Sequence, residues 1–596
     1  MTAGVVTTET PRRGTGRTGR DDRGDVDAVV IGAGPNGLVA ANLLADAGWR
    51  VLVLEAEATP GGAVRTAEVT APGFRNDLFS AFYPLAAASP ALADLRLEDH
   101  GLTWTQAPTV LAHPLPGRTA AVLHRDIDRT VAALEAAHPG DGDAYRMEDA
   151  RFRRVSDPML DSLLRPFPPV RSGVRLALRA GTSGVRELAR LSLVPMRRYV
   201  EERFGSEQAA VLYAGMALHA DLTPESAGSA LFGWLLTGLG QQRGFPVPVG
   251  GAGRLTDALV DRLTARGGVV RCSARVVQVL VREGRAVGVR TADGDEIGVG
   301  RAVLADTDAS KLLLNLVGPQ HLPASTLARV PRIQRGGATF KVDWALSSPV
   351  PWDDAAAHGA GTVHLADSLD QLTVTASELS RHLVPTEPFV LVGQMTTADP
   401  TRSPAGTESM WAYTHVPQEV RGDPTSDRDA GLHRQQVRGV WDDDDCEEFA
   451  ARIEARIERV APGFRSRILA RHVLSPRTLE RMDANLVGGD INGGTAQLHQ
   501  QLVFRPVAGW ARPETPVRGL YLASASAHPG GGVHGACGAN AARAAIAHHR
   551  WSLRPVLALA THRRQRGSSS ISPTIAATVR PAGQPEIDRA IDTPNG

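Results

Sequence analysis

Lysine is almost missing from this chain: Lys311 and Lys341 are its two lysines, and arginine carries the rest of the positive charge. Acids and bases balance to a formal net charge of +1, so nothing pulls the whole molecule towards nucleic acid or an anionic surface. Cysteine is scarce too. Cys272, Cys446 and Cys537 lie too far apart for a CxxC redox pair or a disulfide framework, which points to a reducing, cytoplasmic setting. No apolar run is long enough to span a bilayer. Residues 1–25 contain arginines with no apolar stretch behind them and read as a flexible tail, not a signal peptide. The Ser/Pro-rich residues 553–596 read as a second disordered tail.

What the chain does have is length, 596 residues at 42% hydrophobic and 22% charged, which is a soluble globular composition with room for more than one domain. Near its start, "VDAVVIGAGPNGLVAANLLADAGWRVLVLEAE" runs through an apolar strand, glycines at 32, 34 and 37, a helical segment and a second strand ending at Glu55. This is the βαβ dinucleotide fingerprint. Gly32 allows the turn out of the strand, Gly34 lets backbone approach a pyrophosphate, and Gly37 lets helix pack on strand. The helix amino terminus offers N–H groups to phosphate, and Glu55 offers a carboxylate to ribose hydroxyls. The pattern alone does not separate FAD from NAD. The following "TPGGAVRT" places Gly61, Gly62 and Arg65 beside it as a further phosphate-side contact, which suits FAD, and no second GxGxxG follows.

The predicted class is α/β, with a nucleotide-binding Rossmann domain assembled from discontinuous segments and an inserted α+β substrate domain. The expected FAD-binding parts are 26–129, 246–332 and 506–552. Between them lie a helical insertion over 130–245 and a mixed sheet-and-helix substrate region over 333–505. Near the end, "SAHPGGGVHGACGANAA" packs three glycines between His528 and His534, with Cys537 close by. Zinc would need further ligands at zinc spacing, so the better reading is again strand, glycine turn and helix.

These stretches, with "FPVPVGGAGRLTDALVDRL" in the middle and "LERMDANLVGGDINGG" and "QQLVFRPVAGW" before the end, resemble the phytoene desaturase-like FAD-dependent oxidoreductases. Within them the similarity is to the branch named for pyridine nucleotide-disulphide oxidoreductase domain-containing protein 2, although no redox-active cysteine pair exists here. The resemblance implies a glutathione-reductase-type FAD-binding Rossmann domain, with non-covalent FAD held by Gly32, Gly34, Gly37, Glu55, Gly61, Gly62 and Arg65. It also implies that the Val276 backbone meets the adenine side, and that Gly531, Gly532, Val533 and His534 meet the isoalloxazine.

The expected activity is hydride transfer from a small, largely apolar substrate, polyene or isoprenoid, to flavin, with oxygen or a quinone as electron acceptor. Three alternatives share the architecture: a flavin amine oxidase with Lys341 near the flavin, a redox-neutral polyene isomerase, and a non-catalytic lipid-binding chaperone of the Rab-GDP-dissociation-inhibitor type. No residue is assigned as catalytic. His219 and Asp221 form either a base with its orienting carboxylate or a helix terminus, and the terminus is the preferred reading. Trp411, Tyr413 and His415 alternate as a strand would and form either a substrate wall or core. "DDDDCEEF" reads as a solvated helix start and no metal is expected. The Arg/Leu/Val-rich helices over 157–204 read as amphipathic helices of the substrate domain, with peripheral membrane contact as the rival reading.

Overall fold

In the computed structural model the described residues are 26–427 and 436–550. Both predicted tails, 1–25 and 553–596, lie outside them. The first sheet has seven strands. Val26–Ile31 sits at its centre, parallel to Val51–Leu54 on one side and to Glu296–Ala305 on the other, and Leu520–Leu522 pairs parallel with the latter. Ala28 to Ile31 are all buried, as a parallel strand covered on both faces requires. An antiparallel meander, Val276–Arg282, Arg285–Thr291 and Glu296–Ala305, extends the sheet through the turn at Gly294.

The second sheet runs in the order Ile468–Leu474, Ala338–Leu346, Glu408–Val416, Val390–Gln394, Ala360–Leu365, Thr109–Leu115, Arg118–Leu123. Its last two strands fall within 26–129, the stretch expected to build the first FAD-binding part, but they hydrogen-bond here instead. Every residue of Thr109–Leu115 is buried, so it suits an interior position beside Ala360–Leu365.

Helices Glu207–Leu218 and Ser229–Arg243 are apolar nearly all round, and both are buried against each other and the second sheet. Helix Asp443–Glu458 begins at the acidic run. There Asp442 accepts the Asp445 N–H and pairs with Arg438, which is the helix-start reading. No helix among the described residues is long and apolar enough to cross a membrane.

Candidate functional site

A cleft of about 340 Å³ opens at the carboxyl ends of the first sheet's parallel strands, lined by Gly32, Gly34, Glu55, Gly62, Arg65, Val276, Gly531, Gly532 and Val533. Residues from both ends of the chain thus meet in one place. Gly34 precedes helix Pro35–Asp46 and has no side chain to cap it; Pro35 has no N–H and the Gly37 N–H goes to Asp306 Oδ2, so Asn36, which lines the cleft, is the residue of the first turn left to meet a phosphate. A Cβ on Gly34 would lie 2.7 Å from Asp306 Oδ2. Glu55 accepts from the Ala33 N–H at 2.7 Å and the Glu57 N–H at 2.9 Å, which fixes its carboxylate at the rim. Arg65 donates to the carbonyls of Gly62 and Met482, so it shapes the second glycine turn from behind.

Three predicted residues do not line the cleft. Gly37 packs behind it, with its N–H on Asp306 Oδ2 at 2.8 Å and no room for a Cβ, which would lie 2.2 Å from Gly32 O. Gly61 donates to Ala33 O at 2.9 Å and holds the two turns together. His534 requires the larger correction: its Nδ1 accepts the Ala536 N–H at 3.0 Å and its carbonyl accepts from Ser89 Oγ, so it starts the final helix and lines neither cavity described here. Burial holds it neutral, with a pKa near 4. His528 donates to Arg165 O, and Cys537 points to the carbonyls of Ala527 and Gly530. Among the described residues no cluster fit for a metal ion exists.

Sequence reasoning missed other parts of the site. Asp306 follows the strand Glu296–Ala305 and lies under the first glycine turn; burial raises its carboxyl to about 7, opposed by the Gly37 N–H. Met482 to Leu486, expected in the substrate region, form one wall of the cleft. The stretch "RMDANL" is the one available signal for them. Arg505 is fully buried, and its guanidinium donates to the carbonyls of Asn492, Thr495 and Ala525, tying two segments of the cleft together.

A second cavity of about 250 Å³ adjoins the first, sharing Ala63, Leu486, Ile491, Gly532 and Val533 with it. One side is the face of the second sheet, where Thr339, Lys341, Thr362, Trp411 and Tyr413 point inward. Lys341 hydrogen-bonds both oxygens of Asp343, two residues on along the same strand face. Trp411 and Tyr413 stack at 5.8 Å between ring centres, so these alternating aromatics do form a cavity wall, while His415 extends beyond it towards Asp221. His219 and Asp221 do not form a dyad. His219 Nε2 lies 2.8 Å from His364 Nε2, and Asp221 lies 2.7 Å from His415 Nε2 and accepts from Asn492.

A model of the flavin containing amine oxidoreductases matches residues 36–415. The chain belongs to that family. Its cofactor is FAD, and it is an oxidoreductase. The cleft fits FAD: it has a glycine cradle, a helix start without a capping side chain at Gly34, and Asn36 Oδ1 buried without a protein partner on its wall.

Among relatives of the family, the mouse (Mus musculus) pyridine nucleotide-disulfide oxidoreductase domain-containing protein 2 is 31% identical, over 87% of this chain and 93% of its own. A limonene dehydrogenase polypeptide of Castellaniella defragrans is 25% identical, over 87% of this chain and 94% of its own. An oxidoreductase structure from Methanosarcina mazei superposes with a TM-score of 0.55 at 16% identity, covering 87% of this chain and 99% of that one, which shows the shared fold.

Proposed function

We propose that this family member is an FAD-dependent dehydrogenase of a largely apolar, uncharged substrate held in the cavity beside the cofactor cleft. The observation that carries the reading is the cavity wall: Phe79, Phe82, Leu85, Leu236 and Phe245 dominate it, and among the described residues no Asp or Glu lines it. Lys341 is paired with Asp343, so the lining offers an ammonium group no free carboxylate. That disfavours amine oxidation. A relative named for limonene dehydrogenation agrees with an apolar substrate.

Bound FAD supplies the hydride acceptor. The helix terminus at Gly34 and Pro35 would take the pyrophosphate, Glu55 the ribose hydroxyls, Val276 the adenine side, and Gly531 to Val533 the ring. Gly532 and Val533 line both cavities, so substrate and cofactor would meet there while the apolar wall excludes water. Oxygen or a quinone would serve as electron acceptor.

The test is anaerobic mixing of the flavin-loaded protein with monoterpenes, longer isoprenoids and amines. Loss of visible flavin absorbance with the terpenoids is expected. Reduction by amines alone overturns the reading, and a protein that never takes up flavin favours the lipid-binding alternative.

We also propose that the part of helix Val170–Leu191 that precedes its kink at Gly181 rests on an anionic membrane surface. Val170, Val174 and Leu178 recur at four-residue spacing with exposures of 66%, 56% and 79%, beside exposed Arg171, Arg175 and Arg179. A solvent-facing row of this kind with adjacent cations suits a lipid interface.

A further inference from the structure

The apolar cavity has a polar pole at Thr362 that its hydrocarbon lining does not explain. Thr362 lies on strand Ala360–Leu365 with 1% exposure, and its hydroxyl has no hydrogen-bond partner in the protein. A buried hydroxyl left unpaired costs about 1–3 kcal/mol, so its position on a cavity wall calls for a ligand atom. His364, two residues further on the same strand face, reaches His219 at 2.8 Å, and His219 lines the same cavity.

The surroundings are aromatic. In the sheet register Gly393 stands between Thr362 and Trp411. Having no side chain, it lets the indole lean across, since a Cβ there would lie 2.2 Å from the ring. Phe82 packs on that indole at 6.0 Å between ring centres, and Phe245 meets the His219 ring edge-on at 6.2 Å. Burial holds His219 neutral, with a pKa near 4, and burial and its histidine neighbours hold His364 well below the usual histidine range. The pole therefore carries hydrogen-bonding capacity and no charge.

We propose that the substrate carries one uncharged hydrogen-bonding group, a hydroxyl or a carbonyl, which Thr362 and His219 engage inside the Phe82–Trp411–Phe245 ring. This rests on the adjoining cavity being the substrate site. It narrows the class from hydrocarbons to apolar alcohols and ketones, because a site built around a hydroxyl partner discriminates strongly against the analogue that lacks it. Thr339, the other unpartnered threonine of the cavity, is separated from Thr362 by two intervening strands and belongs to a different part of the wall.

The experiment is calorimetric binding to the flavin-loaded full chain of two matched pairs, limonene with perillyl alcohol and farnesene with farnesol, together with perillyl amine. In at least one pair the alcohol is expected to bind at least tenfold more tightly than its hydrocarbon. Thr362→Val keeps the β-branched shape and should bring that ratio to within about threefold. Thr339→Val should keep the full ratio.

Equal affinity for hydrocarbon and alcohol, or a ratio untouched by Thr362→Val, overturns this proposal and leaves the apolar dehydrogenase reading standing. Tightest binding of the amine, or no binding by any compound, overturns both. Flavin content and melting temperature of each variant establish that it is folded, and a Thr362→Val chain that fails this check is replaced by Thr362→Ala under the same criterion.

Discussion

Asp306 and the buried histidines pull the pH dependence of stability in opposite directions. Burial raises Asp306 from 3.8 to about 7 and Glu408 from 4.5 to about 7. Their contribution is complete below the unfolded values and is lost as the pH rises towards 7. Burial lowers His113, His219, His528 and His534 from 6.5 to about 4, so theirs is complete above 6.5 and is lost as the pH falls towards 4. Four histidines outweigh two acids, and these six groups together give a stability that rises from about pH 4 to about pH 6.5 and then dips slightly. Asp306→Asn removes one falling contribution. Urea unfolding of the flavin-free chain should therefore show the variant gaining on the wild type by about 1.4 kcal/mol per pH unit between about pH 4 and about pH 7; a constant difference would contradict the buried-acid assignment. The glycines of the site were legible because a missing side chain leaves a spacing in the sequence. Asp306 was not, since one Asp in "LADTDAS" looks like any other until the sheet buries it.

At the scale of elements, the contact that brings the two glycine turns together is a backbone crossing. Gly538, in the helix over 536–550, faces helix Pro35–Asp46 so closely that a Cβ would lie 1.8 Å from Asn36 O. A backbone carbonyl cannot step aside as a side chain can. Gly538→Ala is expected to cost about 3 kcal/mol in chemical denaturation and to release the flavin. Gly173, in the open helix Val170–Leu191 with nothing within 4 Å of an added methyl, is the contrast. Gly173→Ala should stabilise by up to about 1 kcal/mol, since there glycine contributes only unfolded-state freedom. The βαβ element and the second-sheet aromatics could be read from period and spacing alone. The destination of strands Thr109–Leu115 and Arg118–Leu123 could not, because strand pairing between distant segments leaves no local mark.

At the scale of the whole molecule, the proposed lipid face gives a prediction of its own. The chain should float with vesicles rich in anionic lipid, and high salt or the pair Val174→Asp and Leu178→Asp should abolish this while flavin content stays unchanged. Failure of the wild-type chain to float removes the membrane contact. By itself the sequence determined the cofactor class and both ends of the cofactor cleft, since phosphate recognition by backbone demands glycines at set offsets from a strand and a helix. The tertiary structure decided which side chains line the two cavities. Thr362, His219 and Trp411 in the second cavity and the Met482 to Leu486 wall of the cleft come from segments that share no local pattern, and the second sheet's pairing with the buried helices is what turns the first three towards one space.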